Sequence, residues 1–467
     1  MYNNNPPIGR YVILFIPWLL ATWLSLNPVL SYIIAWLGSF FIFYMTLTGK
    51  IKKIPDDRTV ADQLMRPLFI VQIIFAGYMC CTSIFYLLNT LGYEYLTKTS
   101  NNIIYPASLE IIARCQRYYC LGHAAFATGL LVFMKYPANS KYFVNPAKLA
   151  NLLVLVALIS FPISIIFRIV PGLSQFYFQL SSLSFIAGTL ALAFAIPLQK
   201  FGNTLICLIL YCFNFYEALI SGYKEPIIIS VLVLAIFLYS DYKKTVIAVF
   251  FPAMVVLFVF LPTYVTTYRS KAWTDDVATD NASQQAFDAT MQTDNIDETN
   301  WSFLVYRLSE IDMFTDYVQS TPSQVDYYEL QLIKQSIVAI IPRVFWPSKP
   351  VTERVVMERV YAAGAANPNS SVSAKPAYIV DAYLSYGPAG IFIYLFIYGA
   401  LTQLIAIKAE RLFGGYILGT ALIFSGLFQI LWRGLSFEFI VNSVFWSYIT
   451  MLLIFYIFKK TNVLTTR

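Results

Sequence analysis

The chain of 467 residues contains a single histidine, His123, and only 12% of its residues are charged. One imidazole cannot build a histidine-rich metal centre, and no acidic cluster stands beside it to complete a site. His123 lies inside the apolar stretch LGHAAFATG, where a helix–helix contact is its plain reading. The six cysteines are Cys80, Cys81, Cys115, Cys120, Cys207 and Cys212. Most sit in apolar segments and none forms a zinc-type pair of pairs, so they read as small core residues without a disulfide framework. Gly-rich phosphate loops, HExxH and GxSxG are all absent, which leaves nucleotide-driven and serine chemistry without a motif. The scarcity of charge excludes an ordinary soluble domain, which carries roughly a quarter charged residues.

What fills the chain instead is hydrocarbon: 58% of residues are hydrophobic and 17% aromatic. Apolar runs occur near 11–27, 29–48, 68–90, 118–135, 148–168, 176–197, 203–220, 226–240, 245–265, 388–407, 412–431 and 437–458. A helix needs roughly 20 such residues to cross a bilayer. The expected fold is therefore an all-α polytopic membrane protein of about twelve transmembrane helices. The first run, from Tyr11, has only Arg10 before it and continues into the second, so it reads as a retained span. No fixed-period repeat is evident. Residues 1–265 would form a bundle of about nine spans and 388–467 one of about three, with residues 266–387 a polar insert between spans nine and ten.

The cations set the sides. With the N-terminus inside, the inner segments carry seventeen Lys and Arg, clustered at 50–66, 135–148, 243–244, 408–411 and 459–467. The short outer loops carry six: Lys98, Arg114, Arg117, Arg168, Lys224 and Arg433. This bias places both termini in the cytoplasm and the insert outside. The net charge of +7 then reflects cytoplasmic loops and does not call for a nucleic-acid partner.

The insert begins with an acidic stretch, Asp275 to Glu298, read as a solvated loop. WSFLVYRLSEIDMFTDYV, from Trp301, has apolar residues at spacings of three and four and predicts an amphipathic helix. A second helix is expected over Tyr327 to Ile341, ended by Pro342. AIIPRVFWPSKP follows, a stiff elbow in which three prolines hold Arg343, Trp346 and Lys349. Its plainer reading is an interfacial turn anchored by Trp and Lys. Its functional reading is a preorganised cationic and aromatic binding surface. Other isolated charges fall on the same side: Lys224 and Glu225 in SGYKEP, Arg433 and Glu438 in LWRGLSFE, and Asp381 in YIVDAYLSYGPAG. Salt bridging is one account of them. Convergence of Lys224, Arg269, Arg307, Arg343, Lys349 and Arg433 on an anionic ligand is the other.

Four stretches, in order, carry a resemblance to the Wzy-type O-antigen polymerases, the oligosaccharide repeat-unit polymerases. They are SGYKEPIIISVLVL, YRLS (Tyr306 to Ser309), IPRVFWPSKP, and DAYLSYGPAG followed by LWRG. The likeness spans Ser221 to Tyr448. Lys224 stands where the family often has Arg, and Asp381 where it often has Glu. The resemblance implies a metal-independent, cofactor-free GT-C-like glycosyltransferase of the bacterial cytoplasmic membrane, working on its outer face. Its substrates would be oligosaccharides on undecaprenyl diphosphate, joined into O-antigen, capsule or exopolysaccharide. Membrane lipids and a polysaccharide chain-length regulator are the further partners it raises. In that chemistry Arg343 and Arg433 would stabilise the departing diphosphate and Asp381 would act as general base. Lys224, Arg269, Arg307 and Lys349 would support them, and Trp346 and Tyr306 would stack on sugar rings. The rival expectations are an O-antigen ligase, a lipid-linked oligosaccharide flippase, and a non-enzymatic assembly partner.

Overall fold

The computed structural model describes residues 6–466 apart from 100–105, 139, 171, 200, 221, 223, 240, 275–277, 293–295, 370–373, 416–417, 420–422 and 424–434. The molecule is an all-α bundle. Its helices are α1 (Ile8–Trp23), α2 (Pro28–Leu47), α3 (Ile70–Thr90), α4 (Pro106–Phe133), α5 (Pro146–Ile169) and α6 (Tyr177–Ala195). These continue with α7 (Phe201–Ile220), α8 (Lys224–Tyr239), α9 (Lys243–Arg269), α10 (Thr279–Gln292), α11 (Ile296–Phe303) and α12 (Ile311–Ser320). Then come α13 (Gln331–Ile340), α14 (Thr352–Ala362), α15 (Tyr378–Leu412) and α16 (Phe437–Lys460). Seven of these, α2, α3, α5, α7, α9, α15 and α16, are long and apolar enough to cross a membrane. Helix α1 and most of α6 and α8 are apolar but shorter. The expected runs up to 407, and the last one, coincide with helices, while the run near 412–431 lies mostly outside the described residues.

Helix α4 is the axis of the bundle, buried along one turn after another from Ile112 to Leu131. It starts earlier than its apolar run because Glu110 pairs with Arg114 at 2.9 Å and with Arg117 at 3.2 Å along the first turns. It touches α15 backbone to backbone. A Cβ on Gly129 would sit 2.2 Å from the Phe396 carbonyl oxygen, and one on Gly399 would sit 2.3 Å from that of Phe126. Small residues permit that approach in an apolar medium.

The loops sort into two ends. At one, Arg66 is enclosed between Asp57 (2.6 Å) and Glu410 (3.0 Å). Lys52 Nζ donates to the Leu131 carbonyl there, and residues 142–143 pair with 465–466. At the other, Trp301 and Tyr306 meet Asn89, Tyr86 meets Asp312, and Tyr119 donates to the Ser309 carbonyl. From Glu110 to Leu131, α4 spans about 30 Å between these ends, close to a bilayer's hydrocarbon thickness. The segments 50–66, 135–148 and 408–411, grouped by charge in the sequence, share one end. Arg307 and the elbow share the other.

Helix α15 is not straight. Tyr386 and Gly387 leave the helical region, Gly387 with φ +61° and ψ −143°, a conformation that glycine adopts readily, and Pro388 follows. Residues 378–385 turn back along the helix that descends from Pro388. The Tyr378 hydroxyl lies 3.4 Å from the Tyr394 carbonyl oxygen, and its ring centroid lies 4.8 Å from that of Tyr398. In an unbroken helix Tyr378 and Tyr394 would be about 24 Å apart. Asp381, expected just above the membrane, is therefore drawn down into the bundle beside the descending helix.

The insert also departs from expectation. The acidic stretch contains α10, seated on Tyr264 and Tyr268 of α9 through Ala282 and Ala286. The helix expected from Trp301 is broken into α11 and α12 by a π-helical turn at Leu304–Leu308 and by Glu310, whose φ is +55°. The carbonyls released there are taken by side chains of the bundle, Arg307 by the Tyr78 hydroxyl and Ser309 by that of Tyr119. Helix α13 starts at Gln331, four residues late. Tyr328 and Glu329 instead donate their backbone N–H groups to the Leu384 and Ser385 carbonyls.

The reversal gives a direct test. A Cβ on Gly387 would lie 2.9 Å from the Tyr327 hydroxyl, on top of the unfavourable φ. Gly387→Ala is expected to destabilise the protein by roughly 1–3 kcal/mol, read as a lowered Tm in detergent. Gly202→Ala, where an added methyl meets nothing, leaves Tm unchanged or slightly raised.

Candidate functional site

The elbow braces itself. Pro342 ends α13 and is buried. Lys349 is 5% exposed, and its ammonium donates to the Ala339 and Ile341 carbonyls at 3.1 and 2.7 Å. It thus caps the C-terminal end of α13, where a cation suits both the orphan carbonyls and the helix dipole. Burial, and then Arg343, hold its pKa below the ordinary lysine value. Arg343 is half-buried and donates to the Pro347 carbonyl at 3.4 Å and to that of Pro350 at 3.0 Å. That uses two of its five N–H groups. Trp346 is half-exposed, with its indole N–H on Ser348 Oγ at 3.1 Å. The elbow lies against the turn at Gly172, and the Trp446 indole on α16 donates to the Ile340 carbonyl at 3.0 Å.

The other expected cations are spread along the same end. Arg307 is exposed on the π-helical turn, beside the exposed Tyr306. Arg269 closes α9 and donates from Nε to the Gly222 carbonyl at 2.8 Å, in the turn that leads to Lys224. Lys224 opens α8. Arg433 lies outside the described residues.

The strongest electrostatic feature is one that the sequence reading passed over. Arg359 of α14 is 3% exposed, Asp381 is fully enclosed and Glu438 is 1% exposed. The guanidinium holds Asp381 through Nε and Nη2, both at 2.9 Å, and Glu438 through Nη1 and Nη2 at 2.8 and 2.7 Å. Asp381 Oδ2 also accepts the Phe437 backbone N–H at 2.8 Å, capping α16 from a distant segment. Desolvation alone would lower the Arg359 pKa, but the two carboxylates outweigh it and raise it above the ordinary arginine value. Asp381 has both oxygens engaged and is closed to a substrate in this conformation, so a base role there requires the cluster to open. The available sequence signal was an arginine on the apolar face of TERVVMERVYA, between Val356 and Val360, which are both buried.

Two other carboxylates are less completed. Glu310 has its Oε2 buried without a hydrogen-bond partner among the described residues. Burial pushes its pKa up to about 7, against the opposing pull of Arg307. Asp316, on the open side of α12, is pushed up to about 6 by burial and by neighbouring Asp312. Among the described residues no group of His, Cys, Asp and Glu is arranged to hold a metal ion.

Two cavities accompany these groups. One, of about 330 Å³, is apolar and lies between α1, α4 and α15, lined by Phe15, Trp18, Leu121, Pro388, Ala389, Phe392 and Ile393. The other, of about 500 Å³, lies between the start of α4 and the end of α12 and is lined by Glu110, Arg114, Gln319, Thr321, Pro322 and Ser323 among others.

Over residues 16–466 the sequence matches the profile of a family described as a domain of unknown function. The chain belongs to DUF8712, a domain of unknown function. No curated protein and no solved structure matches it. In this DUF8712 chain the site must accordingly be read from its geometry: a braced cationic elbow, a buried ion cluster at the start of α16, and a face of carboxylates and tyrosines along α12.

Two stability measurements follow. Arg359→Ala leaves two carboxylates unpaired in an enclosed space and is expected to cost about 3–5 kcal/mol, whereas Arg343→Ala removes two neutral-acceptor bonds and costs about 1–3 kcal/mol. Thermal unfolding of the two variants in the same detergent ranks them. The second concerns Glu310. Folded protein holds this proton more tightly than unfolded protein, so its contribution to stability is full below pH about 4.5 and is lost as pH rises through about 7. Glu310→Gln should match wild type at pH 4 and exceed its Tm at pH 8.

Proposed function

We propose that the protein polymerises oligosaccharide repeat units carried on undecaprenyl diphosphate, by glycosyl transfer at the end of the bundle that bears the elbow. One observation carries the reading. YRLS and DAYLSYGPAG, which lie far apart in sequence and bear the family resemblance, are tied by direct bonds at one end to the bundle and to the segment that runs through α12 and α13 into the elbow. Tyr119 holds the Ser309 carbonyl, Tyr383 holds the Thr321 carbonyl at 2.7 Å, and the Leu384 and Ser385 carbonyls receive residues 328 and 329.

In this reading the protein is a GT-C-like enzyme of about twelve spans in the bacterial cytoplasmic membrane, with this end outward. The donor's leaving group is a lipid diphosphate, so negative charge develops on its oxygen as the glycosidic bond breaks. Arg343 and Arg433 stabilise that charge in advance of the reaction, without a metal. Lys224, Arg269 and Arg307 add to the positive field, and Lys349 acts by holding the elbow in shape. The apolar cavity beside Pro388 suits a polyprenyl chain entering from the membrane. A carboxylate takes the acceptor hydroxyl's proton. Asp381 serves if the Arg359 cluster opens, and Asp316 already faces outward. Trp346 and Tyr306 offer ring faces to sugars.

The test is a polysaccharide gel from a deletion strain complemented with wild type or Arg343→Ala. Wild type restores the ladder of polymer lengths. The variant leaves single repeat units on the acceptor, although it inserts and folds. A full ladder that stays on undecaprenyl diphosphate would point to a ligase, and lipid-linked units retained inside the cell would point to a flippase.

A further inference from the structure

Helix α12 has two faces. Ile311, Phe314, Tyr317 and Val318 are buried against the bundle. Asp312, Asp316 and Gln319 lie at spacings of four and three on the other side, and Ser323 continues the row in the next turn. The row is about 15 Å long. At its start the Tyr86 hydroxyl donates to Asp312 Oδ1 at 2.6 Å, and the Tyr86 ring stands edge-on to Tyr306. Asn89 links onward, donating to the Tyr306 hydroxyl at 3.3 Å and accepting from the Trp301 indole at 3.0 Å. At its far end the row runs into the 500 Å³ cavity. There Arg114 spends two of its N–H groups on Glu110 and has three more to offer. Asp316 makes no hydrogen bond among the described residues.

We propose that this face of α12, from Tyr306 to the cavity at Glu110 and Arg114, is a track that binds a neutral oligosaccharide. The proposal rests on the polymerase reading and names where the glycan part of its substrate lies. A sugar chain presents neighbouring hydroxyls that both donate and accept, together with apolar C–H faces. Carboxylate, amide and guanidinium groups in a row satisfy the hydroxyls, and the exposed Tyr306 ring meets a C–H face. Three carboxylates, Asp312, Asp316 and Glu110, stand against Arg114 and Arg117, and this excess opposes a polyanion such as nucleic acid or the diphosphate itself. The length of the row fits a short oligosaccharide better than a single ring.

The probe is the set of linear oligosaccharides released by partial hydrolysis of the host cell's own surface polysaccharide. Full-length protein in nanodiscs is titrated with them by microscale thermophoresis. Wild type and Lys334→Ala, an exposed change on α13, are expected to bind alike. Gln319→Ala, also exposed, and Asp316→Asn should each bind at least tenfold more weakly. Equal affinity in all four proteins overturns the track, as does an absence of binding by wild type. The two readings separate. If the gel ladder depends on the protein but neither α12 variant weakens binding, the track fails and the polymerase stands. If the variants weaken binding but no ladder depends on the protein, the track stands and the polymerase reading fails.

Discussion

The architecture of the end that bears the elbow depends on one guanidinium shared by two carboxylates where water is excluded. Arg359 joins three segments that are separate in sequence: α14, the arm that precedes the reversal in α15, and the first turn of α16. Charges so placed interact far more strongly than on a surface, and removing one strands the others. Arginine suits the position because its planar fork serves two carboxylates at once, which a lysine ammonium cannot do. Asp381 adds a second bond type by accepting the Phe437 N–H. Ser436, at the position where a side chain usually caps a helix, leaves its hydroxyl without a partner among the described residues. The start of α16 is therefore set by a residue of another helix, and through Trp446 so is the end of α13, from which the elbow springs.

A second ion cluster, Arg66 with Asp57 and Glu410, holds the other end of α15. Between the two clusters the contact with α4 is made by glycines and apolar side chains, which supply close packing but little directional preference. Polar bonds at both ends and tight packing between them fix the rotation and the height of α15 together. Groups mounted on such an element lose little freedom when they bind. This is the physical reason to place an ordered binding surface at the end where the elbow, α12 and the reversal meet.

The helices were legible because hydropathy and length are local properties, and so was the gathering of segments 50–66, 135–148 and 408–411 at one end, since it follows from where cations fall. The stiffness of the elbow could also be read from its three prolines. What escaped was whatever depends on a distant partner. The span was expected to begin at 388, but nothing nearby showed that residues 378–385 would fold back along residues 388–398. YRLSEIDMF has an uninterrupted helical period, yet Tyr78 and Tyr119 hold it broken from two other helices. Lys349 looked like a ligand for an anion and is instead a cap for α13. Arg359 was one of several basic residues in a polar insert, and its burial follows from a carboxylate on either side, 22 residues and 79 residues further on.

The distribution of charge at the end that bears the elbow has a chemical consequence. Positive groups are concentrated on the elbow and along the ends of α9 and the π-helical turn, whereas the open face of α12 is acidic. An anion approaching this end is drawn to the first region and opposed by the second. A neutral polar chain is not sorted by charge, and it gains hydrogen bonds where acceptors and donors stand together, as the carboxylates, amide and hydroxyl do along α12. In the proposed reaction the two requirements fall on two different molecules: the lipid diphosphate of the donor and the sugar chain of its partner. Separate surfaces then hold them with no shared binding group, so the diphosphate can depart without loosening the glycan. On that reading the carboxylate row also meets the acceptor hydroxyl. A half-buried Asp316 whose pKa is pushed up to about 6 is a stronger base than an ordinary surface aspartate and is still mostly ionised at neutral pH.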